Sequence, residues 1–512
     1  MNRKERRARG GTTAGSGGGN AAAALKLARE MARRGNTAEA GLMYRQILQE
    51  NPNNVAALLD LGIAAVERND FDTAAPMLMK AAALDPKNPW ALVGLAIVRL
   101  EQNEMEEALK LAEKTARLEC PPQVLTKLGI LYKETGQLDR ARQHLRKALL
   151  KKPDHVMAWY NLQDLKKFSP GDTDIAKLQE IEKKAQTLSM HEQIDLQFTM
   201  GKAFLDTGDA DKAFAHTAEG NRLKRATIGN YDISFFEEYI GNVIKHFDED
   251  AVRRLSGKVT ARSERPVFVV GMFRSGSTLA DQIISSHPDA TSVGEAKFFQ
   301  HGIPVVANTE MREGYFNETT PSVSKKFMQQ LTGDVLDTVA QKYLTATDPF
   351  AKGAKRVVDK MLFNYIWLGL MRLAFPEGRV IRCVRDPADI CLSIWRTNFV
   401  AAIPWAYDQK EIARYYLGYE RLMQHWHRIL PGEIYDLNYE AMVADQEGET
   451  RKLLDFCGLP FDEKCLNFHK NERRVNTASD VQVRQPIYKD SVKKWKKYEK
   501  YLGPMLETLS AK

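Results

Sequence analysis

The chain has 512 residues, 44% of them hydrophobic and 27% charged, an ordinary globular balance that excludes a wholly disordered or collagenous protein. Its 74 Lys and Arg outweigh 66 Asp and Glu by +8, and half of that excess lies in Arg3, Lys4, Arg6, Arg7 and Arg9 against Glu5. The rest is nearly balanced, which argues against a nucleic-acid partner. Cys120, Cys383, Cys391, Cys457 and Cys465 are odd in number and form no CxxC pair, so neither a disulfide framework nor a metal site is expected, and the setting implied is reducing and cytoplasmic. No apolar run reaches the ~18 residues of a membrane span, and the basic start leads into Gly-rich sequence, so no membrane contact and no signal peptide are expected.

Residues 1–20 read as a disordered basic and Gly-rich tail. Tetratricopeptide repeats are then expected over 21–168: Leu61, Leu95, Leu128 and Leu162 recur at steps of 34, 33 and 34. Each unit predicts two helices joined by a polar turn, Arg68-Asn69-Asp70, Gln102-Asn103-Glu104 or Thr135-Gly136-Gln137. A 34-residue period of this kind is the signature of that repeat, whose curved groove binds a protein or peptide segment or serves as a scaffold. Residues 169–226 form a looser helical segment with a degenerate unit from about 196, and 227–262 a helical connector.

Over 263–512 the period changes. Val267–Val270, Arg356–Val358 and Val380–Val384 predict buried strands, alternating with helices at 278–286, 325–345 and 387–397. That alternation predicts an α/β domain with a parallel sheet after the α-solenoid. The first strand runs into Gly271-Met-Phe-Arg274-Ser275-Gly276-Ser277-Thr278, a strand, loop and helix start of P-loop type. Ser277 stands where a P-loop carries lysine, and Arg274 inside the loop supplies the positive charge. A nucleotide kinase or phosphotransferase needs that lysine for the β/γ-phosphates. It is therefore the weaker alternative, as is a non-catalytic repeat adaptor.

The segment Pro266–Leu279, with Ser286-His-Pro-Asp289 and Gly294-Glu295, resembles the 5′-phosphosulfate loop of sulfotransferases. It is most similar to the tyrosylprotein sulfotransferase-like branch, in the bacterial form that carries tetratricopeptide repeats. Two further segments fit in order: Arg385-Asp386-Pro387 with Ser393, and Tyr439-Glu440 with Ser479 and Lys494. The resemblance implies 3′-phosphoadenosine 5′-phosphosulfate (PAPS) as co-substrate, with no metal, and transfer of its sulfuryl group to a hydroxyl acceptor, for which a protein tyrosine is one candidate. It implies Glu295 as general base, Arg274 on the sulfuryl group and Lys360 on the bridging oxygen. It also implies Arg274, Ser275, Gly276, Ser277, Thr278, Arg385, Ser393, Tyr439, Ser479 and Lys494 as residues holding the nucleotide. The chain departs from the family at Phe273, where proline is usual, and at Met361-Leu362-Phe363-Asn364 after Lys360. His425 and His427, two apart on a helix, are not expected to share a metal.

Overall fold

The protein, seen here as a computed structural model, is described over residues 17–303, 311–312, 320–321, 323–399, 403–475, 477 and 479–511. Residues 1–16 of the expected tail and Ala478 of the third motif lie outside these. The chain divides into two compact units, Met1–Asn161 and Leu162–Lys512.

The first unit is a run of helical hairpins: α1 (Gly17–Arg33) with α2 (Thr37–Glu50), α3 (Val55–Glu67) with α4 (Phe71–Leu84), α5 (Pro89–Glu101) with α6 (Met105–Ala116), and α7 (Pro122–Glu134) with α8 (Leu138–Lys151); α9 (Val156–Gln163) follows. Helix α1 thus starts inside the stretch read as a tail. Asn54, Asp70 and Asn88 cap their helices by accepting from Ala57, Thr73 and Ala91 N–H, which satisfies donors that the helix itself cannot. The turns reverse through left-handed residues, Asn69 (φ +58°), Asn103 (φ +61°) and Gly136 (φ +80°). The recurrent glycine is a contact point. A Cβ on Gly62 would lie 2.7 Å from Leu78 Cγ, and one on Gly129 2.6 Å from Leu145 Cγ, so only glycine lets the second helix pack this close.

The second unit opens with α10 (Thr173–Glu182), α11 (Met190–Asp206) and α12 (Ala210–Ile228). Ser189 and Glu192 form a reciprocal capping box at the start of α11, the arrangement that fixes a helix start most firmly. A Cβ on Gly201 would meet Thr217 Oγ1 at 2.5 Å. The offset from glycine to partner equals that of the Gly62 and Gly129 pairs, so this hairpin keeps the repeat geometry after the sequence pattern has faded. Helices α13 (Ser234–His246) and α14 (Glu249–Leu255) lead to the sheet.

Five parallel strands form that sheet in the order β2 (Ala290–Gly294), β5 (Arg356–Asp359), β1 (Pro266–Gly271), β6 (Arg379–Val384) and β7 (Ile434–Asn438). β1 is buried along its whole length. A central parallel strand is covered on both faces, so it reads as an unbroken apolar run. β2 and β7 were not expected, because each is short and mixed in polarity. Between them, β3 (Met311–Arg312) and β4 (Thr320–Pro321) form a small antiparallel pair. Helix α15 (Ser277–Ser285) follows β1, and α16 (Phe298–Gly302) follows β2. The one helix expected over 325–345 is two, α17 (Lys325–Gln330) and α18 (Gly333–Ala351). Thr332 breaks them by capping Val335 N–H, a preference that outweighs the shared apolar face. Then come α19 (Leu368–Ala374), α20 (Pro387–Trp395), α21 (Gln409–Ile429), α22 (Tyr439–Ala444), α23 (Gln446–Phe456), a 3₁₀ turn over Lys494–Tyr501 and α24 (Gly503–Ser510). Among the described residues, no helix is long and apolar enough to cross a membrane. All five cysteines are buried free thiols.

Candidate active site

All five strands run the same way, so their carboxyl ends meet along one edge. Each carries a predicted site residue at or just past that end. In sheet order these are Glu295 after β2, Lys360 after β5, Arg274 after β1, Arg385 after β6 and Tyr439 after β7. Neighbouring strands stand ~4.8 Å apart, so chain segments more than a hundred residues apart in sequence become one row. In open α/β sheets this edge is where ligands bind.

At the centre, Arg274 sits in the left-handed region (φ +66°), and Gly276 follows at φ +97°. The Arg274 guanidinium donates from Nε to Ser393 Oγ at 3.0 Å and to Gln482 Oε1 at 2.8 Å, and also to Ser479 Oγ. Burial, and next the nearby Arg385, push Arg274 down to about 10; it stays charged near neutrality. Ser275 is buried, and its hydroxyl has no hydrogen-bond partner among the described residues. Helix α15 begins at Ser277 with no side chain capping its free N–H groups, where most neighbouring helices carry Asp, Asn or Ser caps. Ser277 and Thr278 are buried in its first turn, and Thr278 Oγ1 lies 3.4 Å from Thr477 Oγ1. Uncapped N–H groups with a nearby guanidinium and a spare hydroxyl suit an anion.

Toward β7, Arg385 donates to the Arg274 carbonyl oxygen at 2.9 Å and to the Ser491 carbonyl oxygen at 2.7 Å. Its guanidinium stacks 4.7 Å over the Tyr439 ring, and its buried Nε has no partner among the described residues. The Tyr439 hydroxyl and Ser491 Oγ are 2.6 Å apart. Arg385 and Ser393 were expected to act as a pair; here Arg274 lies between them, bonded to both. Lys494 opens the 3₁₀ turn. Burial, followed by Arg396, pushes it down to about 8. Trp495 N–H beside it donates to Asp389 Oδ1 at 2.9 Å.

Toward β2, Lys360 and Glu295 form an ion pair. The lysine is 1% exposed and the glutamate 39%, so the carboxylate keeps a face open. Lys360 N–H also donates to the Gly294 carbonyl oxygen at 3.0 Å, extending the β2–β5 ladder past its last residues. Beneath them Asp359 is fully buried and pushed up to about 7 by that burial. The two departures from the family pattern meet here. Phe273 packs edge-on to Phe363 at 5.2 Å and to Phe399 at 5.5 Å. An aromatic ledge thus supports the loop where a proline ring would stiffen it.

Arg396, Gln482 and Ser491 were missed. Arg396 was findable, three residues after Ser393 on the same helix run. Gln482 and Ser491 carry no signal without the fold. His425 faces the Phe247 carbonyl oxygen at 2.7 Å, and His427 faces Asp436 at 3.2 Å, so they share no site. No group of three His, Cys, Asp or Glu suited to a metal occurs among the described residues.

Residues 266–463 match the Sulfotransferase family, and residues 31–78, 65–118 and 126–162 match Tetratricopeptide repeat families. An "Uncharacterized protein" of Aquifex aeolicus is 32% identical over 389 residues, covering 75% of this chain and 50% of that protein; the chain thus spans about half of that relative. A "Putative protein-tyrosine sulfotransferase" of Caenorhabditis briggsae is 23% identical over 211 residues, 40% of this chain and 70% of that protein. Among solved structures, the sulfotransferase domain of the Synechococcus PCC 7002 olefin synthase aligns at 19% identity and a TM-score of 0.34, over 50% of this chain and 98% of that one. The chain therefore carries tetratricopeptide repeats within 31–162 and, over 266–463, a domain that matches the Sulfotransferase family.

Proposed function

We propose that the protein moves a sulfuryl group from PAPS to a hydroxyl acceptor, with Glu295 as the general base. One observation carries this reading. The row along the sheet edge begins with a carboxylate paired to a buried lysine, passes through a lysine-free anion loop, and ends in a guanidinium stacked on tyrosine. That order suits a ligand with a reacting sulfonate at one end and a phosphorylated nucleoside at the other. The buried Ser275 hydroxyl and Arg385 Nε, which lack partners among the described residues, and the uncapped start of α15 fit its anionic oxygens. PAPS, when bound, supplies an activated sulfuryl group on a phosphate.

The chain's residues then divide the work. Arg274, Ser275, Gly276, Ser277 and Thr278 hold the phosphosulfate by guanidinium, hydroxyl and N–H groups. Arg385, Ser393 and Lys494, joined by Arg396, hold the 3′-phosphate; Tyr439 flanks the nucleoside, and Ser479 keeps Arg274 in place. Glu295 takes the acceptor's hydroxyl proton as its oxygen bonds to sulfur and the bridging S–O bond breaks. Lys360 neutralises the charge arriving on the bridging oxygen. In the Glu295–Lys360 pair each group blunts the other. Turning the ammonium to the donor frees the carboxylate to accept a proton. Ser277, a buried hydroxyl in place of lysine, offers nothing to a γ-phosphate, which favours this reading over a kinase. A protein tyrosine is the acceptor we favour, and the repeats would take a protein or peptide segment in their groove.

The test is transfer of labelled sulfate from PAPS to a lysate by the full chain, with identification of the labelled species. Glu295→Gln is expected to lose about 10²–10⁴ in rate while binding 3′-phosphoadenosine 5′-phosphate as before. Label on groups other than tyrosine would redirect the acceptor. Magnesium-dependent ATP turnover, or no binding of the desulfated nucleotide, would end the reading.

A further inference from the structure

Arg385 and Asp389, four residues apart across the start of α20, both grip one turn near the end of the chain. Arg385 donates to the Ser491 carbonyl oxygen at 2.7 Å, and Asp389 Oδ1 accepts from Trp495 N–H at 2.9 Å. Ser491 is a hub. Its Oγ lies 2.6 Å from the Tyr439 hydroxyl, and the guanidinium held by its carbonyl stacks 4.7 Å over the Tyr439 ring. Whatever fixes Ser491 therefore fixes both groups assigned above to the nucleotide's far end.

Between the two grips the backbone is strained. Lys493 sits at φ +53° and ψ +31°, a left-handed conformation that costs any residue with a Cβ. Its side chain is exposed and makes no hydrogen bond or ion pair among the described residues. The bonds made within the turn are local: Val492 N–H donates to the Lys489 carbonyl oxygen at 3.2 Å, and Lys496 N–H to that of Lys493 at 3.3 Å. The strain is thus held from outside the turn. Asp389 is 2% exposed, and its Oδ2 has no partner among the described residues. Helix α20 does not need this carboxylate as its cap, because Asp386 already accepts from Asp389 N–H at 3.0 Å. A buried, half-satisfied carboxylate is costly, and the contact that it makes is the one on the turn.

We infer that Asp389 is a positioning residue for nucleotide binding: by holding Trp495 N–H it keeps Lys493 in its left-handed turn, and so seats Ser491, Arg385 and Tyr439. This rests on the PAPS reading above. Asp389 touches no nucleotide in this role and acts through the turn. Arg385 is held from two sides, by the Arg274 carbonyl oxygen at 2.9 Å and by Ser491. Losing the second hold leaves the guanidinium free to leave the position that meets the 3′-phosphate. The anion loop around Arg274 keeps its own bonds to Ser393 and Gln482.

The full chain is titrated calorimetrically with 3′-phosphoadenosine 5′-phosphate and, in parallel, with adenosine 5′-phosphate, which lacks the 3′ group. Asp389→Ala should weaken the first about tenfold, the loss of roughly one hydrogen bond to a charged group, and the second by no more than about threefold. Asp389→Asn keeps an acceptor oxygen in place and should bind within about threefold of wild type. The strain supplies a second readout. Adding Lys493→Gly to Asp389→Ala should recover about threefold or more, because glycine takes the left-handed turn without steric cost. Adding Lys493→Ala instead removes the same charge and should recover nothing. Melting temperatures are recorded for every variant. A residue that serves stability alone would lower the melting temperature of Asp389→Ala and leave the folded protein's affinity intact. Unchanged affinity in folded Asp389→Ala, equal losses for both nucleotides, or no difference between the glycine and alanine additions overturns the assignment. A wild-type chain that binds neither nucleotide removes the PAPS reading, and this role with it.

Discussion

Gly276 is the tightest point of the loop, and alanine there tests how that loop is held. At φ +97° an L-residue costs about 1–2 kcal/mol in backbone strain. A Cβ would also lie 2.7 Å from Tyr439 Cδ2 and 3.5 Å from Cε2. The ring cannot swing freely, because its hydroxyl is held 2.6 Å from Ser491 Oγ and Arg385 lies 4.7 Å over its face. Overpacking against a fixed group adds about 1–3 kcal/mol, so Gly276→Ala should cost about 2–5 kcal/mol. Gly353→Ala is the control: its φ is +82° and nothing lies within 4 Å of its Cβ, so it carries the backbone share alone. The assay pairs thermal unfolding of the full chain with titration by 3′-phosphoadenosine 5′-phosphate. Gly276→Ala should melt below Gly353→Ala and lose at least tenfold in affinity. Adding Tyr439→Ala should recover the overpacking share without restoring binding. If Gly276→Ala melts with Gly353→Ala and keeps its affinity, then Tyr439 is not seated against the loop, and the reasoning fails.

Three further outcomes follow from the same geometry. Lys494, pushed down to about 8, is charged below that pH and loses its proton above it; nucleotide affinity should fall as pH rises through about 8 in the wild type and stay flat in Lys494→Arg. Asp195 is pushed up to about 7, first by burial, with Lys224 and Asn398 opposing. Since an unfolded aspartate titrates near 3.9, the folded chain holds the extra proton between those values. Its contribution to stability is present at the acid end and lost as pH rises through 7. Asp195→Asn should therefore melt higher relative to wild type at pH 8 than at pH 5. Phe273 and Phe363, 5.2 Å apart, should show a coupling of about 0.5–1.5 kcal/mol in a double-mutant cycle to alanine; additive losses would mean that the two departures from the family pattern arose without compensating each other.

Much of the fold was legible because periodicity survives in one dimension. The 34-residue recurrence announced the repeats, and the continuous apolar runs announced β1, β5 and β6, since a strand buried on both faces has no polar alternation to hide it. β2 and β7 were not legible, being short and half-polar, and α17–α18 read as one helix because a single capping threonine carries little weight in a pattern average. The Gly201–Thr217 contact shows a hairpin that keeps repeat geometry after its sequence signature has decayed.

For the site, local chemistry was written in the chain: a lysine-free anion loop after a strand, an arginine at the end of another, and a glutamate beside a turning glycine. Residue type and spacing along one segment are enough for that. What the tertiary structure decided is adjacency. Parallel strand order set Glu295, Lys360, Arg274, Arg385 and Tyr439 in a row, and the fold inserted Arg274 between Arg385 and Ser393, more than a hundred residues away in sequence. Sequence spacing carries no such information, because strand order and crossover paths are settled by which faces must be buried together and not by the order in which residues are joined.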